Sequence, residues 1–132
     1  MVIEEHDAVE LAGIRFQIGI FEEALMADPD DTDALRYLAH AYTVVGRPAD
    51  GLSADRRLVE LLPRDPRVRY NLACSCALAG QTDEALKVLA QAVELGFDDL
   101  TLMRKDTDLD PLREDPRYRE IEAQLARRRR SR

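Results

Sequence analysis

The stretch Pro66–Asp99, PRVRYNLACSCALAGQTDEALKVLAQAVELGFDD, decides the fold. It is 34 residues long, and the 34 residues before it, Thr32–Asp65, carry the same pattern of small and apolar positions. In the second stretch Asn71, Leu72, Ala73, Gly80, Ala85, Leu86 and Ala92 fall at set offsets. Leu38, Ala39, Tyr42, Gly46, Leu52 and Pro63 fall at corresponding ones in the first. A repeat of this length with helix–turn–helix punctuation is a helical solenoid, because one such hairpin buries its apolar face only by stacking on the next.

Start and stop signals place the helices. Thr32 reads as the cap of a helix running to about Val45, with Gly46 as its left-handed stop. Pro48 opens a helix that Pro63 ends, and Asp65-Pro66 opens one that ends before Gly80. Thr82, followed by Asp83 and Glu84, reads as the cap of a helix stopping at Gly96. Upstream, Ile14–Ala27 is helical, and residues 3–12 as well. Ala12-Gly13 reads either as a turn between two helices or as a flaw within one. Downstream come a short helix Asp99–Arg104, an irregular crossing Asp106–Glu114, and a last helix from Asp115-Pro116. That last helix has Tyr118, Ile121 and Leu125 in one apolar stripe. The expectation is an all-α single domain over residues 1–126: a partial repeat 1–31, repeats 32–65 and 66–99, and a closing segment 100–126. A basic tail, 127–132, follows.

Composition narrows the function classes. The net charge of −7 hides an asymmetry, since the last six residues hold five arginines. Residues 1–126 have 14 basic against 26 acidic residues, a net −12. An acidic body argues against nucleic acid as partner, because a phosphate backbone rewards clustered Lys and Arg. Cys74 and Cys76 lie two residues apart on a helix and point to nearly opposite sides, so they cannot pair with each other. That fits a reducing compartment. No apolar run reaches the length of a membrane span, and Met1–Asp7 lacks a signal peptide's order of charge and hydrophobicity. The cytoplasm is the expected location.

These residues resemble the tetratricopeptide repeat (TPR) family, which places large and small residues at fixed positions of a 34-residue unit. Leu72, Ala73, Ala85, Leu89 and Ala92, with the run Tyr70-Asn71-Leu72, match from Pro66. Leu35, Leu38, Ala39, Tyr42 and Pro63 match from Thr32, and Phe21, Ala24 and Pro29 match the second half of a preceding unit. Asp55, Leu58 and Phe97 depart from the pattern. Residues Asp106–Tyr118 resemble the closing segment that follows such arrays in some bacterial proteins.

The resemblance implies a non-catalytic interaction module that holds a peptide or protein segment in a concave groove lined by each unit's first helix. Here that lining is Arg36, Tyr37 and His40, then Arg67, Tyr70, Asn71 and Cys74, then Arg104 and Lys105. The cations suit a partner with carboxylates or a free C-terminus. A specific carboxylate clamp of the co-chaperone type lacks one contact, since Thr101 stands where a lysine is required. The alternative is a self-assembly unit using the lateral surface and the arginine tail.

Catalytic and metal readings are weak. His40 and Cys74 occupy equivalent positions, but the sequence supplies no orienting carboxylate or oxyanion hole for a nucleophile. Asp106, Asp108 and Asp110 have the spacing of a calcium loop's start, yet Pro111 and Arg117 stand where it needs Gly and Glu. The aspartates are expected instead to cap turns and pair with Arg104, Lys105 or Arg113. No cofactor or metal is expected.

Overall fold

The computed structural model describes residues 5–131. Among them every regular element is helical: α1 (Glu5–Ala27), α2 (Thr32–Val44), α3 (Pro48–Leu61), α4 (Pro66–Leu78), α5 (Thr82–Glu94), α6 (Leu100–Lys105), a 3-10 helix (Thr107–Leu112) and α7 (Pro116–Arg130). The chain forms two compact units, Met1–Leu61 and Leu62–Arg132.

The first unit holds α1 to α3. Ala12-Gly13 lies inside α1, which is one continuous helix over the described residues. Ile14, Ile18, Phe21 and Leu25 recur at three- and four-residue spacing and pack on Leu38, Ala41 and Tyr42 of α2. Two polar bonds lock that contact: the Tyr42 hydroxyl donates to Glu22 at 2.8 Å, and the Tyr37 hydroxyl donates to Gln17. Phe21 and Tyr37 stack with ring centroids 4.3 Å apart. Next, α3 lies so close to α2 that a Cβ on Gly51 would sit 2.9 Å from both the Ala39 carbonyl oxygen and Thr43 Oγ1. Asp55 and Leu58, the departures from the repeat pattern, are both buried in α3.

The second unit holds the other elements. α4 is buried along most of its circumference, from Val68 to Ala77, with α5 on one side and the 3-10 segment on another. α5 turns Ala85, Leu86, Val88, Leu89, Ala92 and Val93 inward. α7 covers α5 and α6 with Tyr118, Ile121 and Leu125, the stripe read from sequence. Burying three such side chains contributes on the order of 1.5–3 kcal/mol each.

The ends of α2 and α4 are built alike. Gly46 and Gly80, 34 residues apart, have φ of 83° and 77°, and the next residue's N–H closes on a carbonyl five residues back. Those bonds are Arg47 to Tyr42 at 2.7 Å and Gln81 to Cys76 at 2.9 Å. The N-termini require two corrections. Asp31, not Thr32, caps α2, accepting from the Ala34 N–H at 3.1 Å, and Thr32 is the first helical residue. Gln81 precedes α5 and its side chain makes no capping bond, so Thr82 is also inside its helix. At α4 and α7 the caps are the expected aspartates, Asp65 and Asp115. Within the crossing Asp106–Glu114, Thr107–Leu112 form a 3-10 helix rather than irregular chain. Arg127–Arg130 continue α7, and the Ser131 N–H bonds back to their carbonyls.

Candidate functional site

The expected binding residues divide between the two units. In the first, Arg36 and His40 are exposed on α2, with Tyr37 half-buried beside them. In the second, Arg67 and Asn71 are exposed on α4, and Arg104 and Lys105 on α6. Arg67 lies 5.6 Å above the Phe97 ring and 3.5 Å from Asp99, while Arg104 is 3.8 Å from Glu122. Exposed pairs of this kind contribute little and separate easily.

Tyr70 and Cys74 sit differently. They are 1% and 6% exposed, turned under the 3-10 segment rather than out toward a ligand. The Tyr70 ring stacks on Phe97 at 4.2 Å and nearly parallel, so the residue that replaces the repeat's terminal proline supplies the tyrosine's platform. The Tyr70 hydroxyl donates to Asp106 Oδ2 at 2.7 Å, and the Cys74 thiol lies 3.5 Å from the same oxygen. Asp106 Oδ1 accepts from the Asp108 N–H at 3.1 Å, which starts the 3-10 helix.

Arg113 holds this segment from behind. Its guanidinium donates to the backbone oxygens of Asp106 at 2.8 Å and Met103 at 3.3 Å, and to the Tyr118 hydroxyl at 2.7 Å. It also pairs with Asp110 at 2.9 Å, as expected of that aspartate. The Met103 oxygen belongs to the last turn of α6, whose carbonyls have no partner within the helix. One planar fork therefore caps α6 and anchors the turn that follows.

The sulfur of Cys74 and the carboxylates of Asp106 and Asp108 lie within 4.8 Å of one another. As a cation site the set fits poorly, because both Asp106 oxygens are occupied by donors from the chain itself. Burial, and then the Asp106 charge, push the Cys74 thiol well above its ordinary range and keep it neutral. A neutral buried thiol is neither a metal ligand nor a nucleophile. The Tyr70 hydroxyl is pushed up as well, mainly by burial, and remains a proton donor.

The two units thus present equivalent positions in two states. Arg36 and Tyr70 are each the fifth residue of their 34-residue stretch, and His40 and Cys74 each the ninth. On α4 these positions are covered by the chain's own acidic turn. On α2 the equivalent side chains are exposed. The family resemblance that placed all four residues carried no signal for that covering, which comes from a segment more than 30 residues downstream.

No described helix is long and apolar enough to cross a membrane. No family model matches the chain, and no curated protein does. Among solved structures, the chain is similar to the crystal structure of MamA, a TPR-containing protein, with a TM-score of 0.71 and 20% identity over 95% of this chain and 74% of that one. That likeness establishes the fold: an all-α, TPR-like helical repeat.

Proposed function

We propose that this protein is a non-catalytic interaction module whose partner is a peptide segment carrying carboxylates. The partner is received on the exposed face of α2, at Arg36, Tyr37 and His40. The exposed cations and amide of the second unit, Arg67, Asn71, Arg104 and Lys105, offer the same chemistry.

The observation that carries this reading is the Asp106 turn on α4. There a short acidic stretch, Asp106-Thr107-Asp108-Leu109, lies against the fifth and ninth positions of a repeat, and its carboxylate takes hydrogen bonds from both. The same positions on α2 hold a guanidinium and an imidazole, stronger partners for a carboxylate than a phenol and a thiol. A second acidic stretch, from another molecule, fits α2 as Asp106 fits α4. Tyr37 adds contact area beside the charges.

The test is a peptide-display selection against the full chain, read by fluorescence anisotropy of the enriched peptides. Enrichment of Asp- and Glu-containing sequences is expected, with binding at least tenfold weaker in Arg36→Glu/His40→Glu and weaker in high salt. Binding unchanged in that double variant sinks the assignment to α2.

A further inference from the structure

α1 is apolar on two opposite faces. One carries Ile14, Ile18, Phe21 and Leu25 and is covered by α2. The other carries Val9, Phe16 and Ile20, which are 68%, 72% and 50% exposed. Spaced seven and four residues apart, these three form one ridge. A helix that only had to cover α2 would be polar on that side. Gly13 lies within the ridge, and nothing stands within 4 Å of where its Cβ would be.

The second unit holds an apolar slot of about 390 Å³ between α5 and α7. Leu86, Ala90 and Ile121 make its floor, and two cations, Lys87 and Arg117, share the lining with two carboxylates, Asp83 and Glu120. Leu86 and Ala90 are one helical turn apart, as are Phe16 and Ile20, so a ridge of that pitch matches the floor.

We propose that the α1 ridge of one molecule docks in the α5/α7 slot of a second copy of this chain. Charge selects this pairing. α1 carries five acidic residues and one arginine, a net −4, while α7 carries six arginines and two glutamates, a net +4. Pairing of α1 with α1 would set −4 against −4. Docking on the slot sets the acidic helix beside α7 and its run Arg127–Arg130. The slot's own lining is charge-balanced, and α5 and α7 together carry seven basic against five acidic residues, a net +2. The contact joins a ridge to a slot and is therefore heterologous, so copies add head to tail until a ring closes. It uses none of the residues assigned to the peptide and stands or falls separately.

Sedimentation velocity on the full chain at low salt tests it, with Phe16→Glu removing the ridge and Ala90→Glu blocking the slot. Wild type is expected to exceed dimer mass as concentration rises and to dissociate in high salt. Each variant alone is expected to be a monomer with unchanged helical circular dichroism. Lys87→Glu, at an exposed position, weakens association at least tenfold without touching the floor. Mixing the two blocked variants restores one ridge-to-slot contact and gives a one-to-one heterodimer and nothing larger. A wild type that stays monomeric across the micromolar range overturns the proposal. So does an Ala90→Glu protein that still dimerises, or a mixture that forms no heterodimer.

Discussion

The Tyr70 hydroxyl and the Asp106 carboxylate meet at 2.7 Å across 36 residues of sequence, and this bond fastens the end of the second unit to its first helix. Asp106 serves three donors at once: the phenol, the Cys74 thiol and the Asp108 N–H. Its own backbone oxygen is held by Arg113.

Asp106→Ala is therefore expected to destabilise the protein by about 2–3 kcal/mol, since a charged acceptor is lost and the buried Tyr70 hydroxyl is stranded. Tyr70→Phe removes one of the same bonds and costs about 1–2 kcal/mol. The double variant costs less than the two together, because both changes break one contact. Urea unfolding of the four proteins closes the cycle. Strict additivity would mean that the Tyr70–Asp106 bond contributes nothing to stability.

The same burial makes a statement about chemistry. Cys74 is covered and its thiol is held neutral by burial and by Asp106, and Cys76 is fully buried. Neither is expected to react with an aromatic disulfide reagent in the folded protein at mildly alkaline pH. Both should appear when urea unfolds the chain. In Asp106→Ala, opening of the turn is expected to speed labelling of Cys74 severalfold while leaving Cys76 slow. Rapid labelling of one thiol in the native wild type would contradict the lock described for this end.

Local signals were legible and tertiary coverings were not. Asp65-Pro66 and Asp115-Pro116 announced their helices because the cap and the proline act within three residues. Thr32 and Thr82 misled by one position. A capping side chain also follows Asp31 directly, and the Asp31 carboxylate reaches the third N–H more readily than a hydroxyl placed inside the helix. The inner-face positions of α4 followed from the resemblance to the repeat family. Their burial was not, because it depends on Asp106 folding back over 32 to 36 residues. A hint existed in the composition of that face: Tyr70 and Cys74 are the kind of residues that tolerate burial, whereas Arg36 and His40 on α2 are not.

Two glycines in helices should respond in opposite directions to alanine. A Cβ at Gly51 would meet the Ala39 carbonyl and Thr43 Oγ1, both at 2.9 Å, so α3 would have to move away from α2. Gly51→Ala is expected to cost about 1–3 kcal/mol, because overpacking outweighs the gain of roughly 1 kcal/mol in helix propensity. At Gly13 nothing obstructs a Cβ, and Gly13→Ala should stabilise α1 by about 0.5–1 kcal/mol. Thermal unfolding ranks the two against wild type. A stabilising Gly51→Ala would show that the approach of α3 to α2 is looser than 2.9 Å implies.

Tyr42 makes stability depend on alkaline pH. Burial is the main cause that raises its pKa to about 12, and the Glu22 carboxylate adds to it by accepting a hydrogen bond from the protonated hydroxyl and by its charge. The Arg47 guanidinium, 4.5 Å from the ring centroid, opposes the shift without cancelling it. An unfolded tyrosine loses its proton near pH 10, so between about 10 and 12 the unfolded chain binds fewer protons than the folded one. Stability from this group is complete below pH 10 and is lost progressively toward pH 12. Tyr70 and Tyr118 are shifted upward by burial as well and add to the slope. Tyr42→Phe loses the bond to Glu22, about 1 kcal/mol at neutral pH. Yet its urea midpoint should fall less steeply than that of wild type as pH rises through this window. Parallel pH profiles for the two proteins would show that Tyr42 ionises as freely in the fold as outside it, and would remove the Glu22 bond from the account of how α1 is held.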